Sequence, residues 1–251
     1  MKTTNELRIV ASVEARMNSS RLPGKVLSDI VGQPALIRLL GRLSAAKTLD
    51  AVVVATTIRP DDDILARTVE AAGFACFRGS EEDVLNRVVE AHRMMKTDLV
   101  VEVTGDCTLI DPDVIDLGVN TFLFNAADVV ANIVKPSFPM GVDVQVFRFV
   151  ALAEIESQVH DPAVREHVSL YFYEHPERYR ILHLIAPERY RAPGLRLQLD
   201  YPEDQVLIRE IYRRLEPKFG DAFRTPEILD LLASDPKLAE INRHCMEKPA
   251  R

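Results

Sequence analysis

Four short apolar runs recur along the first half of the chain, and each is followed by a segment with helical spacing. The runs lie at residues 7–13, 51–57, 74–77 and 99–103, and the helical segments at residues 34–46, 64–72, 81–95 and 112–124. The runs are apolar at consecutive positions rather than at alternate ones, which is typical of strands buried on both faces. The first half of the chain therefore predicts an α/β fold, with a mainly parallel sheet flanked by helices.

The second half has a less regular pattern. Strands are predicted at residues 128–133, 142–147, 180–185 and 195–199, and helices at residues 149–157, 163–173, 203–215, 225–232 and 236–242. The chain shows no internal repeat, low-complexity tract or clear linker. A length of 251 residues then fits one α/β domain.

Charge and composition exclude several classes of protein. The formal net charge of −7 argues against broad binding of nucleic acid or anionic membranes, which needs a basic face. No apolar run approaches the ~18 residues of a membrane span, and residues 1–8 lack the apolar core of a signal peptide. Three widely spaced cysteines suggest neither a disulfide framework nor a zinc site. We expect a soluble, cytoplasmic protein that binds neither nucleic acid nor membrane.

The loop after the first predicted strand concentrates cations. Residues 15–25 read ARMNSSRLPGK, with three cations and two hydroxyls in an otherwise acidic protein. Arginines can hold phosphate oxygens bidentately, and Gly24 suits a turn whose backbone N–H groups face an anion. The alternative is a solvated polar loop. The loop is neither a Walker A motif nor a dinucleotide fingerprint, because GxxxxGK[ST] and GxGxxG are both absent.

Two aspartates follow other predicted strands. Asp106 ends the segment Thr104-Gly105-Asp106, and Asp200 follows the strand predicted at 195–199. Parallel sheets bind ligands beyond the carboxyl ends of their strands, so these carboxylates are candidate Mg²⁺ ligands. The alternative is a turn or helix-cap role. Asp111, which precedes Pro112, is better explained as a helix N-cap, and Asp204 as a first-turn residue that complements the helix dipole.

Other polar residues near strand ends are candidates for substrate contacts. Arg78, Gly79 and Ser80 follow the third strand, and Asp83 and Arg87 lie four residues apart on the next helix. This segment could enclose a base or ribose, but for Asp83 and Arg87 we favour a simple i,i+4 ion pair. His167 could be an acid/base group, although a lone histidine is more often structural. Asp143 could contact an acceptor.

These motifs, taken in order, resemble the sugar cytidylyltransferases, which include the CMP-acylneuraminate and CMP-KDO synthetases. Within that family the resemblance is greatest to the spore-coat polysaccharide biosynthesis branch. It rests on the ARxxSxRLPGKxL motif in residues 14–27, the GDCPLID-like segment at 105–111, the RGSEEDVLxR-like segment at 78–87, the PxGxDVEVF-like segment at 139–147, REHV at 165–168 and LDYPED at 199–204. The motifs cover nearly the whole chain.

The resemblance implies a Rossmann-like nucleotide-diphospho-sugar transferase fold with a small dimerisation insertion. It implies a nucleotide-binding half at about residues 1–125, with acceptor binding and dimerisation in residues 126–251. It further implies CMP transfer from CTP to a nonulosonic acid-like sugar for surface polysaccharide biosynthesis, with Mg²⁺ as cofactor and a homodimer as the assembly. The residues it implicates are Ala15, Arg16, Ser19, Arg21, Gly24 and Lys25 at the phosphates, Asp106 and Asp200 at Mg²⁺, Thr56, Arg78, Gly79, Ser80 and Asp83 near base and ribose, and Asp143, Glu166 and His167 at the acceptor. Among these, Lys25, Arg21, Asp106 and Asp200 are the predicted catalytic residues.

Some positions depart from the family pattern. Glu14 stands where the branch usually has Gln, and Gln145 where it usually has Glu. A carboxylate beside a triphosphate would be repulsive unless it pointed away, so a non-catalytic homologue that binds nucleotide or sugar is one alternative. A glycosyltransferase on a related fold is the other, because Asp61-Asp62-Asp63 formally satisfies a DxD metal motif. We interpret that run as the cap of the following helix.

Overall fold

The computed structural model describes residues 6–246, and within this range a mixed sheet of seven strands forms the centre of the protein. In chain order these strands are β1 (Ile9–Glu14), β4 (Ala51–Thr57), β5 (Ala75–Gly79), β6 (Leu99–Thr104), β7 (Val129–Ala131), β8 (Gln145–Arg148) and β9 (Ile181–His183). Two further strands, β2 (Asp29–Ile30) and β3 (Gln33–Pro34), form a separate antiparallel pair. The spatial order is β5-β4-β1-β6-β8-β7-β9.

The sheet is parallel apart from one strand. β5, β4, β1 and β6 run parallel, as the first half of the sequence predicts, and β7 pairs in parallel with β9. β8 pairs antiparallel with both of its neighbours, β6 and β7. The carboxyl ends of β1 and β6, two neighbouring strands of the parallel group, therefore meet at one edge of the sheet.

Helices cover both faces of the sheet. They are α1 (Ala35–Ser44), α2 (Asp63–Ala71), α3 (Val84–Met95), α4 (Pro112–Phe124), α5 (Phe149–Gln158), α6 (Pro162–Glu166), α7 (Leu170–Glu174), α8 (Pro202–Phe219), α9 (Thr225–Ser234) and α10 (Lys237–Glu240). Asp111 caps α4 through its side chain, which accepts a hydrogen bond from the backbone N–H of Asp113, as predicted. None of the helices in residues 6–246 is both long enough and apolar enough to cross a membrane.

Two apolar clusters lie on opposite faces of the sheet. Val10 belongs to the cluster shared with α3, α5 and α7, whereas its neighbour Ala11 belongs to the cluster shared with α1, α4 and α8. Successive side chains of a strand point to opposite faces. Because both faces are covered, β1 has to be apolar at consecutive positions, which is the pattern seen in the sequence.

Two elements of the second half differ from the sequence prediction. The helix predicted at 163–173 is broken into α6 and α7, because His167 adopts extended backbone angles and the Ser169 side chain turns inward to donate to Gln145 Oε1 at 2.7 Å. The strand predicted at 195–199 is not part of a ladder; it makes one isolated bridge, between Met140 and Arg196. Its backbone is instead tied to the loops at the sheet edge, where the Leu199 N–H donates to the Asp106 carbonyl at 2.9 Å.

A candidate nucleotidyl-transfer site

A cavity of about 850 Å³ opens at the carboxyl ends of β1 and β6. Its walls come from the loop after β1, the loop after β6, the β7–β8 connection and the α6–α7 break. The predicted site residues that line it are Ala15, Arg16, Ser19, Arg21, Lys25, Asp106, Asp143, Glu166 and His167. A volume of this size is typical of sites for small-molecule ligands and cofactors.

The loop of residues 15–25 is folded on itself. The Gly24 N–H donates to the Met17 carbonyl at 2.8 Å, and Gly24 has a φ of 72°, in the left-handed region that glycine adopts without steric cost. A short 3₁₀ turn begins at Lys25 and directs that side chain toward the sheet edge. The loop is therefore a preformed turn rather than a solvated tether.

A buried aspartate outside the loop fixes its position. Asp62 is 2% exposed, and its Oδ1 accepts a hydrogen bond from the Met17 N–H at 2.7 Å. Its Oδ2 accepts from the Thr57 hydroxyl at the end of β4. Asp62 stands at the N-cap position of α2, as the helix-cap interpretation predicts, but its carboxylate makes no capping bond to that helix. The two aspartates that a DxD metal motif would use, Asp61 and Asp63, instead form ion pairs with Arg59 at 3.5 Å and Arg78 at 2.7 Å.

Four charged residues, predicted from three separate loops, meet at the floor of the cavity. Lys25 Nζ lies 3.1 Å from Asp106 Oδ2 and 2.7 Å from Asp200 Oδ1. Arg21 reaches the same Asp200 oxygen at 2.7 Å. We call these four residues, Arg21, Lys25, Asp106 and Asp200, the charged clamp. Asp200 is 1% exposed and contributes to the clamp from beneath the cavity surface.

The pKa values of two clamp residues, Lys25 and Asp106, depend on burial and on ion pairing, which act in opposite directions. Burial alone would lower the pKa of Lys25, but the carboxylates of Asp106 and Asp200 outweigh it and raise that pKa above its ordinary value. Burial would raise the pKa of Asp106, but Lys25 and the Thr104 hydroxyl lower it. Nearby opposite charges favour the ionised form of each partner. Lys25 and Asp106 are consequently charged at neutral pH.

Arg196 and Asp204 hold Asp200 in place from behind. Arg196 donates to Asp200 Oδ2 at 2.9 Å and to Asp204 Oδ1 at 3.0 Å. Asp204 Oδ2 accepts the backbone N–H groups of Asp200 and Tyr201, at 2.8 and 2.9 Å, where α8 begins. Asp204 therefore does more than complement the dipole of α8. It fixes the turn that presents Asp200.

Arg21 leaves one hydrogen-bond donor without a partner. Its Nη2 binds Asp200, whereas its buried Nη1 meets no acceptor among the residues that the structure describes. Buried donors are almost always satisfied in native proteins, and an orphan at a site indicates a missing ligand. An anion in the cavity would complete Arg21.

The residues predicted near base and ribose lie behind the cavity wall. Thr56 is fully buried, and Arg78 braces the β4–α2 loop by donating to the Thr57 and Arg59 carbonyls, each at 2.9 Å. Gly79, Ser80 and Asp83 are also missing from the lining. On this side the cavity is lined instead by Val84 and Arg87, from the first turn of α3.

The predicted Asp83–Arg87 ion pair is wrong. Asp83 caps α3 by accepting the Asn86 N–H at 2.9 Å, and its second oxygen accepts from Arg165. Arg87 donates to the Ser80 carbonyl instead and is 2% exposed. Helical spacing favoured a surface pair, but α3 packs its Arg87 face against the sheet, so this side chain points inward.

The residues predicted on the acceptor side line the opposite wall. Arg16 Nη2 lies 3.0 Å from Glu166 Oε1, which connects the loop of residues 15–25 to the end of α6. His167 is exposed at the α6–α7 break. Asp143 Oδ2 accepts the Gly141 N–H at 3.2 Å. The structure thus brings Glu166, His167 and Asp143 into the cavity together with the cations.

One wall of the cavity carries two carboxylates, Glu14 and Glu102. Glu102 pairs in register with Ser12 of β1, so its side chain and that of Glu14 emerge on the same face of the sheet. Burial, and then the charge of Glu102, raise the pKa of Glu14 well above its ordinary value, although Arg87 opposes this. The sequence marked Glu14 as anomalous but did not point us to Glu102. The signal that could have revealed Glu102 is a lone acidic residue inside an apolar strand.

Comparison with known proteins agrees with this geometry. The sequence profile described as Cytidylyltransferase matches residues 10–229, so the chain belongs to this family of nucleotidyltransferases.

Similar proteins cover the chain to different extents. The chain is 34% identical to the spore coat polysaccharide biosynthesis protein SpsF of Bacillus subtilis over 236 residues, which cover 92% of this chain and 96% of SpsF. It is 39% identical over 112 residues to a 3-deoxy-manno-octulosonate cytidylyltransferase of Anaeromyxobacter, covering 43% of this chain and 44% of that protein. The structure of a cytidylyltransferase from Leptospira borgpetersenii superposes with a TM-score of 0.88 at 26% identity, covering 97% of this chain and all of that one. The fold is thus that of the sugar cytidylyltransferases, as the sequence predicts.

Proposed function

We propose that this protein transfers CMP from CTP to a sugar acid, with release of pyrophosphate, and that the product serves surface polysaccharide biosynthesis. The observation that carries this proposal is the charged clamp at the floor of the cavity. One of its members, Arg21, has a buried Nη1 with no acceptor among residues 6–246. Family membership supports cytidine as the base, and the names of SpsF and the octulosonate enzyme support the acceptor class and the pathway.

The residues of the loop after β1 suit the triphosphate. Arg16 and Arg21 can each bind phosphate oxygens through two N–H groups, and Lys25 adds a point charge. Ala15, Ser19 and Gly24 would contribute small side chains and backbone N–H groups where phosphates approach closely. Transfer of a nucleotidyl group depends on positioning and charge neutralisation more than on covalent chemistry. The loop supplies both.

The clamp carboxylates fit a magnesium ion. Asp106 and Asp200 direct oxygens at a single cation, the Lys25 ammonium, within 3.1 and 2.7 Å. Oxygen ligands of this kind are those that Mg²⁺ prefers, completed by phosphate oxygens and water. Bound there, Mg²⁺ would supply neutralisation of the charge on phosphate. Lys25 would then pair with a phosphate oxygen of CTP instead of the carboxylates.

The remaining predicted residues would shape the walls of the site around the base, the ribose and the acceptor. The Arg78–Asp83 turn and Thr56 stand directly behind Val84 and Arg87, and we propose that they shape the wall against which base and ribose lie. Glu166, His167 and Asp143 face the acceptor. His167 is exposed in the cavity lining, where its ring nitrogens can hydrogen-bond an acceptor hydroxyl. We also propose a homodimer, to be tested by sedimentation equilibrium.

Pyrophosphate release from CTP tests the transfer activity. The assay uses CTP, Mg²⁺ and a panel of sugar acids that includes 3-deoxy-manno-octulosonate. Lys25→Ala and Asp106→Asn should each lower turnover at least ~100-fold, the cost of one lost charge-stabilising contact in other enzymes. Lys47→Ala and Asp113→Asn change the same residue types at exposed sites and should retain wild-type turnover. Near-normal turnover in either clamp variant would refute the role of that residue.

Nucleotide binding separates transfer from the alternatives. A thermal-shift series with CTP, UTP, GTP and ATP, each with Mg²⁺, should show the largest stabilisation with CTP, because a ligand that binds the native state raises its stability by mass action. CTP binding without pyrophosphate release would indicate a non-catalytic homologue. Binding of an intact sugar nucleotide with no CTP turnover would indicate a glycosyltransferase.

A further inference from the structure

The carboxylate of Glu102 is buried in the cavity wall with an oxygen that has no partner. Glu102 is 4% exposed and lines the cavity from the middle of β6. Its Oε2 accepts no hydrogen bond from any residue in the described range 6–246. An ionised group in such surroundings is costly unless something pairs with it. Because Glu102 lines the cavity, a bound ligand can supply that partner.

The polar groups around Glu102 are directed mainly at its neighbours. Gln145 faces it across the β6–β8 pair, and Gln145 Oε1 accepts both the Ser169 hydroxyl at 2.7 Å and the Tyr173 hydroxyl at 2.5 Å. The Ser12 hydroxyl donates to Glu14 instead, at 3.4 Å. The Glu102 carboxylate therefore keeps capacity for another donor.

The charges near Glu102 do not compensate it. Burial raises the pKa of Glu102 to about 7, with the Ser169 hydroxyl as the opposing influence. Glu14 adds a second carboxylate on the same face of the sheet, and the nearby cation Arg87 acts on Glu14. No cation within the described residues lowers the pKa of Glu102. This wall thus has two carboxylates, of which only Glu14 is opposed by a positive charge.

Glu102 and the charged clamp lie within reach of a single acceptor. Glu102 stands four positions before Asp106, and the path along β6 and the following turn is at most about 13 Å at 3.3 Å per residue. An acceptor several carbons long can therefore contact Glu102 at one end while its reacting oxygen lies beside Asp106.

We propose that the acceptor carries a protonated primary amine at its distal end and that this ammonium binds the Glu102 carboxylate. This inference rests on the proposed transfer function and specifies its substrate class as an amino-bearing sugar acid. An ammonium is a compact cation with three donors, so it would satisfy the orphaned oxygen and the charge at once. A hydroxyl at the same position would supply a donor but no charge.

A matched pair of acceptors tests the inference. One is 3-deoxy-manno-octulosonate, and the other is 8-amino-3,8-dideoxy-manno-octulosonate, which has an amine in place of the terminal hydroxyl. Binding of each is measured by isothermal titration at about pH 8, with Mg²⁺ and a CTP analogue whose α,β-bridging oxygen is a methylene. We expect the wild type to bind the amino acceptor at least ~10-fold more tightly, as a charge-assisted contact would give.

Variants at Glu102 show whether its charge is responsible. Glu102→Gln keeps the shape and removes the charge, so the preference should fall to about one, through weaker binding of the amino acceptor alone. Glu102→Asp keeps the charge on a shorter side chain and should give an intermediate preference, which guards against misfolding of the first variant. Glu154→Gln, at an exposed position of α5, should retain the wild-type preference.

The outcomes distinguish this inference from the proposed function. Equal binding of both acceptors by the wild type, or an unchanged preference in Glu102→Gln, would overturn the amine assignment. Binding of the CTP analogue without binding of the amino acceptor would overturn it as well and leave nucleotide binding standing. Failure of the CTP analogue to bind would refute the proposed function on which the inference depends.

Discussion

Removal of the Asp62 carboxylate should weaken CTP binding although Asp62 does not line the cavity. Its two oxygens accept hydrogen bonds from the Met17 N–H of the loop of residues 15–25 and from the Thr57 hydroxyl of β4. Asp62→Ala leaves the part-buried Met17 N–H without this acceptor and frees the loop from the sheet. Hydrogen bonds to charged groups contribute about 1.5–3 kcal/mol each. We therefore expect Asp62→Ala to destabilise the correctly placed loop, relative to misplaced conformations, by about 2 kcal/mol.

That loss converts into affinity through the fraction of molecules whose loop is correctly placed. A free energy of about 2 kcal/mol corresponds to a ~30-fold change in an equilibrium constant, which is also the upper limit of the rise in the Kd for CTP if the loop becomes mostly misplaced. Titration calorimetry with CTP and Mg²⁺ measures the Kd. Urea denaturation should show a free energy of unfolding lower by a similar amount.

Two neighbouring changes act as controls. In Asp62→Asn the amide oxygen can still accept from the Met17 N–H while the amide NH₂ donates to Thr57, so the rise in Kd should stay below ~10-fold. Asp61→Ala removes an exposed carboxylate that forms a 3.5 Å surface pair with Arg59 and should change little. Normal CTP affinity in Asp62→Ala, or equal weakening by Asp61→Ala, would refute the idea that Asp62 positions the loop.

Two further predictions concern pH and backbone geometry. Burial lowers the pKa of His92 to about 3, so between pH 6.5 and 3 the unfolded chain binds more protons, and the free energy of unfolding falls as pH drops through that window, by about 2 kcal/mol at pH 5. His92→Gln should flatten this part of the profile in urea titrations, and parallel profiles would contradict the assignment. Gly105→Ala would place a Cβ 2.7 Å from the Glu14 carbonyl oxygen, so it should displace Asp106 and lower turnover at least tenfold. Gly41→Ala, where a Cβ meets nothing within 4 Å in α1, should instead stabilise the protein by up to ~1 kcal/mol; similar losses of turnover in both variants would count against the steric argument.

Much of the first half of the chain was predictable because its signals are local. β4 and α4 have the predicted bounds, and Asp111 makes the predicted cap. A strand buried on both faces must be apolar at consecutive positions wherever it lies in the sheet, so the pattern is visible without the fold. The second half was harder, since Leu195–Leu199 satisfies its backbone with loops, and the α6–α7 break depends on a hydrogen bond from Ser169 to a distant strand.

The features of the candidate site also fall into two groups, those that depend on the local sequence and those that depend on tertiary packing. The sequence by itself determined that a cation-rich turn follows β1 and that carboxylates follow other strands, because these features depend on neighbours in the chain. Only the tertiary structure decided that Lys25 lies between Asp106 and Asp200, which are 81 and 175 residues away. It also decided that Asp62 supports the loop and that Glu102 faces the cavity with an oxygen unpaired among the described residues. Burial and pairing of a charge depend on which remote segments pack around it, and that information exists only in the folded chain.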